Sequence, residues 1–197
     1  MESPLVLIGD SVTDCGRDRT DDTSLGSGWA GLVGAELTDR PVINRGISGN
    51  RVRDLVARWD HDVLELKPDT VGLMIGINDT WRRYDGDDPT TTDDFAADYT
   101  DLIARTRAAG VRRLILLEPV LTPVDDPQWG WREDLDPKIT AIRRLAGQHT
   151  VELVPTDAVL NAAAAITPLG ELAADGVHPT ESGHRLIATT FLQTYRQ

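Results

Sequence analysis

Two distant parts of the sequence carry residue types that together can attack an ester carbonyl. Ser11 stands in a Gly-Asp-Ser triplet after the apolar run 5–8, and Asp175 and His178 stand three residues apart in a Gly- and Pro-bearing stretch. A serine hydroxyl is a weak nucleophile until an imidazole accepts its proton. The imidazole needs a carboxylate that fixes its tautomer and stabilises its charge. The three residues therefore predict a nucleophile, a general base and an orienting acid.

Two further blocks supply hydrogen-bond donors for the oxyanion that forms when a carbonyl is attacked. Gly49 closes the block 44–49, and Asn78 lies in the block Gly-Ile-Asn-Asp at 76–79. A glycine lets the backbone approach a substrate closely. We therefore expect the oxyanion hole to consist of the backbone N–H of Ser11, the backbone N–H of Gly49 and the side-chain amide of Asn78.

The elements that must position these residues alternate along the chain. Short runs rich in Val, Ile and Leu are typical of strands buried on both faces, and they lie at 5–8, 41–44, 70–75, 113–117 and 151–154. Helical patterns lie between and after them at 29–37, 52–66, 94–109, 136–148, 156–165 and 181–195. Segments rich in Pro, Gly, Asp and Thr predict loops at 85–93 and 122–134.

Strands that alternate with helices predict βαβ units and a parallel sheet with helices on both faces. We expect one α/β domain over residues 1–197, a three-layer α/β/α sandwich with a five-stranded parallel sheet. Ligands of open parallel sheets bind beyond the carboxyl ends of the strands. All four blocks follow predicted strands or precede the last helix, so we expect them to meet on one rim.

These blocks resemble those of the SGNH hydrolases, also called the GDSL esterase/lipase superfamily. The resemblance spans residues 5 to about 190 and rests on the Gly-Asp-Ser triplet, Gly49, the Gly-x-Asn-Asp block and the Asp-x-x-His pair. It implies a flavodoxin-like α/β/α sandwich and a Ser-His-Asp mechanism that uses no metal and no cofactor. The stretches "GDSVTDCGR", "INRGISGNRVRDL", "IGINDTWRRYD", "WREDLDPKI" and "DGVHPTESGH" further resemble bacterial intracellular acetylxylan esterases. That resemblance implies removal of O-acetyl groups from xylo-oligosaccharides.

Several other polar and aromatic residues near the blocks are candidates for supporting or substrate-binding roles. Short acids and amides hold turns by accepting backbone N–H bonds, and such supporting candidates are Asp10, Asn44 and Asp79. Aromatic faces stack on sugar rings, and the candidates for substrate binding are Trp81, Trp129, Trp131 and Arg132. Core packing or a subunit contact explains the tryptophans equally well, and the arginine could instead pair with an acid.

Composition excludes some partners and locations. The net charge of −12 and the pI near 4.6 argue against nucleic acid and against anionic membranes. No run approaches the ~18 apolar residues of a membrane span, and residues 1–8 lack a signal-peptide pattern. The single cysteine, Cys15, fits a reducing compartment, so we expect a cytoplasmic protein. There is no metal-ligand motif, and the Trp-bearing loops suggest a possible homo-oligomer.

Two alternatives to this interpretation stay open on sequence grounds. The same chemistry could act on another ester, as a thioesterase, a lysophospholipase or a deacetylase of a different sugar. A non-catalytic module on a flavodoxin-like fold could instead bind a phosphate at the first loop, although that hypothesis leaves Asp175 and His178 unexplained.

Overall fold

A computed structural model describes residues 3–197, and a parallel sheet lies at its centre. The strand order is β2-β1-β3-β4-β5, so β1 is an interior strand. β1, β3 and β4 are buried along almost their whole length because helices cover both faces. The strands of this described part are β1 (Leu5–Gly9), β2 (Val42–Asn44), β3 (Thr70–Met74), β4 (Arg113–Leu117) and β5 (Glu152–Val154).

Helices follow the strands and form the two outer layers. Within residues 3–197 they are α1 (Ser11–Asp14), α2 (Trp29–Glu36), α3 (Val52–Asp62), α4 (Ile77–Asp85), α5 (Thr92–Ala108), α6 (Asp126–His149), α7 (Thr156–Ala163), α8 (Leu169–Leu172) and α9 (Glu181–Tyr195). One apolar cluster joins α3, α5 and α6 to one face of the sheet. A second joins α2, α7 and α9 to the other face. The predicted five-stranded α/β/α sandwich is therefore confirmed.

Two predicted helices differ from the structure at their ends. The segment predicted over 52–66 is helical only to Asp62, and a 3-10 turn follows at Leu64–Leu66. α5 begins two residues earlier than predicted, because the hydroxyl of Thr91 accepts a hydrogen bond from the backbone N–H of Asp94 and caps the helix.

The prediction of a loop over 122–134 was wrong from residue 126 onward. α6 begins there because Asp125 caps it, accepting the N–H of Gln128 at 2.9 Å. Pro127 lies in the first turn, where a missing N–H costs nothing. Pro137 lies inside α6, and tertiary contacts stabilise the helix on either side of it. One such contact is the hydrogen bond from Thr80 of α4 to Asp134.

The carboxyl ends of the strands bring the four blocks to one edge of the sheet, as the topology predicts. Ser11 follows β1, Gly49 lies in the segment after β2, and Asn78 lies in the first turn of α4 after β3. The segment that carries Asp175 and His178 precedes α9. Among the described residues, no helix is long and apolar enough to cross a bilayer.

Candidate active site

Ser11, His178 and Asp175 form a continuous chain of hydrogen bonds. Ser11 Oγ lies 2.9 Å from His178 Nε2, and His178 Nδ1 lies 2.6 Å from Asp175 Oδ2. A carboxylate only accepts hydrogen bonds, so Nδ1 carries the ring proton and Nε2 is left to accept the serine proton. The side chains of His178 and Asp175 are 45% and 52% exposed, so the site is open to solvent.

The position of Ser11 follows from the residues that precede it. At Gly9 a Cβ would lie 2.1 Å from the carbonyl oxygen of Met74, so only glycine lets β1 end so close to β3. Asp10 then caps α1, because its Oδ1 accepts the N–H of Val12 at 3.0 Å. Burial raises the pKa of the Asp10 carboxyl to about 7, although the N–H of Val12 and nearby His178 oppose that shift. The cap places Ser11 at the start of a helix, half-buried on the rim.

Asp175 is held by its own loop. Its Oδ1 accepts the backbone N–H groups of Val177 and His178 at 3.0 and 2.7 Å, which leaves Oδ2 for the imidazole. Burial favours the protonated carboxyl. The hydrogen bonds from the side chain and backbone of His178 outweigh it and hold the pKa of Asp175 below its usual value. The acid is therefore ionised wherever the imidazole works as a base.

Three candidate oxyanion donors lie on this rim. Asn78 Nδ2 donates one hydrogen to the carbonyl of Asn50 at 3.0 Å, and its second hydrogen is free. Within residues 3–197, neither the N–H of Ser11 nor that of Gly49 has an acceptor. Gly49 has φ +85°, a conformation that favours glycine, and a Cβ there would meet nothing within 4 Å. Glycine is therefore required by the backbone conformation and not by crowding.

The Gly49 segment is held from the side of α1. Asp14 Oδ2 accepts both the N–H and the hydroxyl of Ser48, at 3.0 and 2.7 Å. Buried Asn44 donates to the carbonyl of Thr13 at 2.7 Å and accepts the N–H of Gly46 at 2.8 Å. These bonds tie the segment after β2 to the helix that begins with Ser11.

Asp79 holds the same segment from the side of α4. Its Oδ2 accepts the N–H of Val52 at 3.1 Å. Its Oδ1 is buried without a hydrogen-bond partner among the described residues, as is the hydroxyl of Thr90. Burial raises the pKa of the Asp79 carboxyl to about 7, which exceeds the lowering by the Val52 N–H and nearby cations. Asp79 therefore supports the site, but its ionised carboxylate is unfavourable in this buried place and lowers the stability of the fold as the pH rises.

This effect predicts a pH-dependent stability difference for Asp79→Asn. The folded chain binds the Asp79 proton more tightly than the unfolded chain, so wild type loses stability as the pH rises from about 4 to about 7. The variant cannot titrate there, and its free energy of unfolding relative to wild type should rise by roughly 2–4 kcal/mol across that range. Urea unfolding at pH 4 and pH 8 measures the change. Exposed Asp87→Asn is the control, and a pH-independent difference would contradict the assignment.

An aromatic row lies beside the imidazole. We define it as Trp81, Trp131 and Tyr84. The Trp81 ring centre is 6.0 Å from that of His178 and 5.5 Å from that of Trp131, and Trp131 stacks on Tyr84 at 5.5 Å. Trp81 and Trp131 pack against a small buried cluster that includes Val177. Their half-buried faces form a wall next to the candidate base.

The other predicted aromatic residue, Trp129, lies apart from this row. Its side chain is 59% exposed and makes no ring contact within the described chain. Trp129 therefore stays a candidate for a contact with the substrate or with a second subunit. Sequence reasoning missed Tyr84, although its spacing of three residues from Trp81 on a helix is a signal that could have identified it.

Arg132 is engaged in contacts with other residues of the chain. Its guanidinium donates to both carboxylate oxygens of buried Asp157 at 2.9 Å and to the carbonyl of Leu121 at 3.2 Å. It also pairs with Asp136 on the same helix. These contacts favour the other interpretation that the sequence left open, pairing of the arginine with acids, and the sugar contact stays a prediction.

Arg132→Met should therefore affect folding and not substrate binding. Loss of the guanidinium leaves buried Asp157 with fewer donors, and we expect the free energy of unfolding to fall by about 1–3 kcal/mol. The sequence resemblance implies acetylated oligosaccharides as substrates, and the KM for them should stay within about twofold of wild type. Urea unfolding and acetate release measure the two effects, with Arg82→Met, at a half-exposed arginine, as control. A raised KM with unchanged stability would restore the sugar-binding hypothesis.

The arrangement can carry out acyl transfer with side chains and backbone groups alone. It contains a hydroxyl bonded to an imidazole, an acid bonded to that imidazole, and donors with free hydrogens nearby. Among residues 3–197 there is no cluster of three or more His, Cys, Asp or Glu residues that could hold a metal ion.

Known proteins are similar to this chain in sequence and in fold over nearly its whole length. The acetylxylan esterase of Geobacillus stearothermophilus is 38% identical over 204 residues, which cover 96% of this chain and 92% of that protein. A crystal structure of a catalytic mutant of that enzyme superimposes with a TM-score of 0.88 at 35% identity, covering 98% of this chain and 95% of the other. Its catalytic mutants replace a serine, a histidine or an aspartate by alanine. A GDSL-like lipase of Parabacteroides merdae superimposes with a TM-score of 0.91 at 28% identity, covering 98% and 95%.

The fold and these matches define a carboxylic ester hydrolase with the architecture of the SGNH hydrolases. Residues 7–186 match the GDSL-like Lipase/Acylhydrolase family. The chain belongs to that family, as the sequence blocks predicted.

Proposed function

We propose that this protein is a serine carbohydrate esterase that removes O-acetyl groups from xylo-oligosaccharides by a Ser-His-Asp triad and an acyl-enzyme. The observation that carries the proposal is the hydrogen-bonded chain from Ser11 through His178 to Asp175. The aromatic row beside His178 supports a sugar substrate, and so does the similarity to an acetylxylan esterase.

The first half of the reaction transfers the acetyl group to the enzyme. Ser11 Oγ attacks the acetyl carbonyl while His178 Nε2 takes the hydroxyl proton. The carbonyl oxygen becomes an oxyanion, which the N–H groups of Ser11 and Gly49 and the amide of Asn78 stabilise. Asp175 stabilises the imidazolium. His178 then gives its proton to the departing sugar oxygen, which leaves an acetyl ester on Ser11.

The second half releases acetate. A water molecule gives a proton to His178 Nε2 and attacks the acetyl carbonyl, and the same donors hold the second oxyanion. Its collapse frees acetate and returns the proton to Ser11. The open rim suits this step, because His178 is accessible to water once the sugar has left.

Acetate release is the experiment that tests the proposal. The purified chain should release acetate from acetylated xylo-oligosaccharides and p-nitrophenol from p-nitrophenyl acetate, with little activity on p-nitrophenyl palmitate. Hydrolysis of p-nitrophenyl acetate without acetate release from the oligosaccharides would support the triad but contradict a xylan-derived substrate. The protein would then be an esterase of another substrate class. Inertness toward both acetates would revive a non-catalytic binding module.

Trp81 provides a separate test of the sugar substrate. Aromatic faces stack on sugar rings, so Trp81→Leu should raise the KM for acetylated oligosaccharides by about tenfold, the equivalent of roughly 1.4 kcal/mol of binding. The KM for p-nitrophenyl acetate, which has no sugar, should change less than twofold. Tyr195→Leu is the control, at a half-buried aromatic residue next to Arg113, the first residue of β4 and so at the opposite edge of the sheet. Equal effects on both substrates would argue that Trp81 supports His178 and does not bind the sugar.

A cytoplasmic location, with a single thiol kept reduced, is also part of the proposal. It implies that the substrates are imported oligomers and not polymeric xylan. Activity on acetylated oligomers together with low activity on the polymer would agree with that location.

A further inference from the structure

Gln128 joins the first turn of α6 to the loop of the candidate acid. Its Nε2 donates to the backbone carbonyl of Asp175 at 2.6 Å, and its Oε1 accepts the N–H of Val124 at 3.0 Å. Its own N–H donates to Asp125, the cap of α6. Both ends of the amide are therefore used, and the side chain bridges two segments 47 residues apart in the sequence.

The acid loop is shaped to receive this amide. Gly176 has φ +82°, and a Cβ there would lie 2.1 Å from Gln128 Oε1, so the amide packs directly against the glycine. On the same stretch, the carbonyl of Gly176 accepts the N–H of Thr122 at 2.8 Å. The two peptide units after Asp175 are thus held by backbone and side-chain donors from residues 122–128.

These bonds matter because the contacts that orient the carboxylate, the N–H groups of Val177 and His178, belong to the same loop and do not tie that loop to the rest of the rim. The side chains of Asp175 and His178 are about half exposed, so packing does not hold them. The loop is anchored by buried Val177 and by a bridge between Ala173 and Pro179. Within the loop, the N–H of Gly176 donates to the carbonyl of Ala173 at 3.1 Å. The bond from Gln128 ties the carbonyl of Asp175 to α6, so the placement of the acid on the rim depends on this bond as well as on the loop.

We infer that Gln128 is a positioning residue for Asp175. It holds the backbone of the acid at the point where Oδ2 meets His178 Nδ1, and it does so from the helix that also carries Trp131 of the aromatic row. The inference rests on the proposed function, since it assigns Gln128 a part in the triad's geometry. Gln128 itself touches neither Ser11 nor His178 through any hydrogen bond of the described chain.

Two variants of similar size test the inference. Gln128→Met keeps the length and removes the donor, and Gln128→Glu keeps the shape, removes the donor and adds a negative charge next to Asp175. Small misplacements in an active site cost up to about 100-fold in rate. We expect kcat per active site on p-nitrophenyl acetate to fall by about 10- to 100-fold in both variants, with KM within about twofold of wild type.

The pH profile separates positioning from folding. In Gln128→Met the acid supports the imidazolium less well, so the acid limb of the kcat/KM profile should move to lower pH. In Gln128→Glu the added carboxylate stabilises the imidazolium, so the same limb should move to higher pH. A residue that only stabilised the fold would lower the thermal midpoint and the number of active sites. It would leave both the profile and kcat per active site unchanged.

Controls make the outcomes distinct. Gln148→Glu and Gln148→Met, at an exposed glutamine on the same helix, should leave kcat and the profile unchanged. Active sites are counted by the p-nitrophenol burst. Wild-type kcat per active site and an unmoved profile in both Gln128 variants would overturn the inference. Loss of the proposed function itself would appear differently, as wild-type activity that persists in Ser11→Ala.

Discussion

Ser11→Ala and His178→Ala are each expected to hydrolyse p-nitrophenyl acetate about 10⁴- to 10⁶-fold more slowly than wild type. The double variant is expected to be no slower than either single variant. When two residues act as one catalytic unit, replacing either one removes the contribution of both, so the two rate losses are far from additive. The single-turnover rate of p-nitrophenol release measures all three variants.

The reason lies in the bond between the two side chains. The hydroxyl of Ser11 is 2.9 Å from His178 Nε2, and without the imidazole no base within reach can take its proton. Without the hydroxyl, the imidazole has no nucleophile to activate. The donors of the oxyanion hole survive in each variant, so a residual rate above that of water should remain.

The outcome that would contradict the triad is a double variant whose rate loss equals the product of the two single losses. That result would mean that Ser11 and His178 act independently. Circular dichroism and thermal unfolding provide the control. Ser11 is half-buried and His178 is exposed, so loss of either side chain should change the thermal midpoint by only a few degrees.

Asn78→Ala should produce the second largest effect, a fall in kcat of about 100- to 1000-fold. The amide uses one hydrogen to hold the carbonyl of Asn50, and its other hydrogen is the one proposed to bind the oxyanion. An oxyanion exists only after attack, so the substrate should bind nearly as before and KM should change by less than about threefold. Steady-state kinetics on p-nitrophenyl acetate measures kcat and KM separately.

Loss of the bond to Asn50 should cost about 1 kcal/mol of unfolding free energy. Asn161→Ala is the matched control for that cost. The Asn161 amide donates to the carbonyls of Leu121 and Asp157, away from the triad. We expect a similar loss of stability from this variant with nearly full activity. Near-normal turnover in Asn78→Ala would remove Asn78 from the oxyanion hole.

The interior of the sheet was predictable because its strands are short, apolar and separated by helix-length segments. β1, β3 and β4 are buried on both faces, and this burial requires the continuous runs that the sequence displays. The rim was predictable for a topological reason, since parallel strands bring their carboxyl ends to one edge. The sequence alone therefore predicts that Ser11 and Asn78 lie at the same edge of the sheet.

α6 was not predictable in the same way. Pro127 and Gly130 are typical of loops, and Pro137 is typical of a helix end, yet all three lie inside one helix of 24 residues. The cap at Asp125 and the contacts of Asp134 with α4 stabilise that helix, and such contacts depend on the tertiary structure. Gln128 was missed for the same reason, because its role depends on a bond across 47 residues.

The ionisation of the buried acids was also hidden in the sequence. Asp10 and Asp79 look like the many surface acids of a chain with net charge −12, but burial raises the pKa of each to about 7. Asp14 lies only four residues from Asp10, and its contacts with Arg19 and Ser48 outweigh burial and lower its pKa. Only the packing of the folded chain separates these cases.

The separation of Ser11 from His178 by 167 positions has a consequence for folding. β1 lies inside the sheet, whereas the loop before α9 docks on the rim from the other end of the sequence. Contacts between such distant residues form slowly, because a long stretch of chain must lose its freedom before they close. A refolding chain with its helices formed but residues 173–197 undocked has a nucleophile and no base. Regained hydrolysis is therefore a stricter measure of complete refolding than regained helicity, and it should lag behind it.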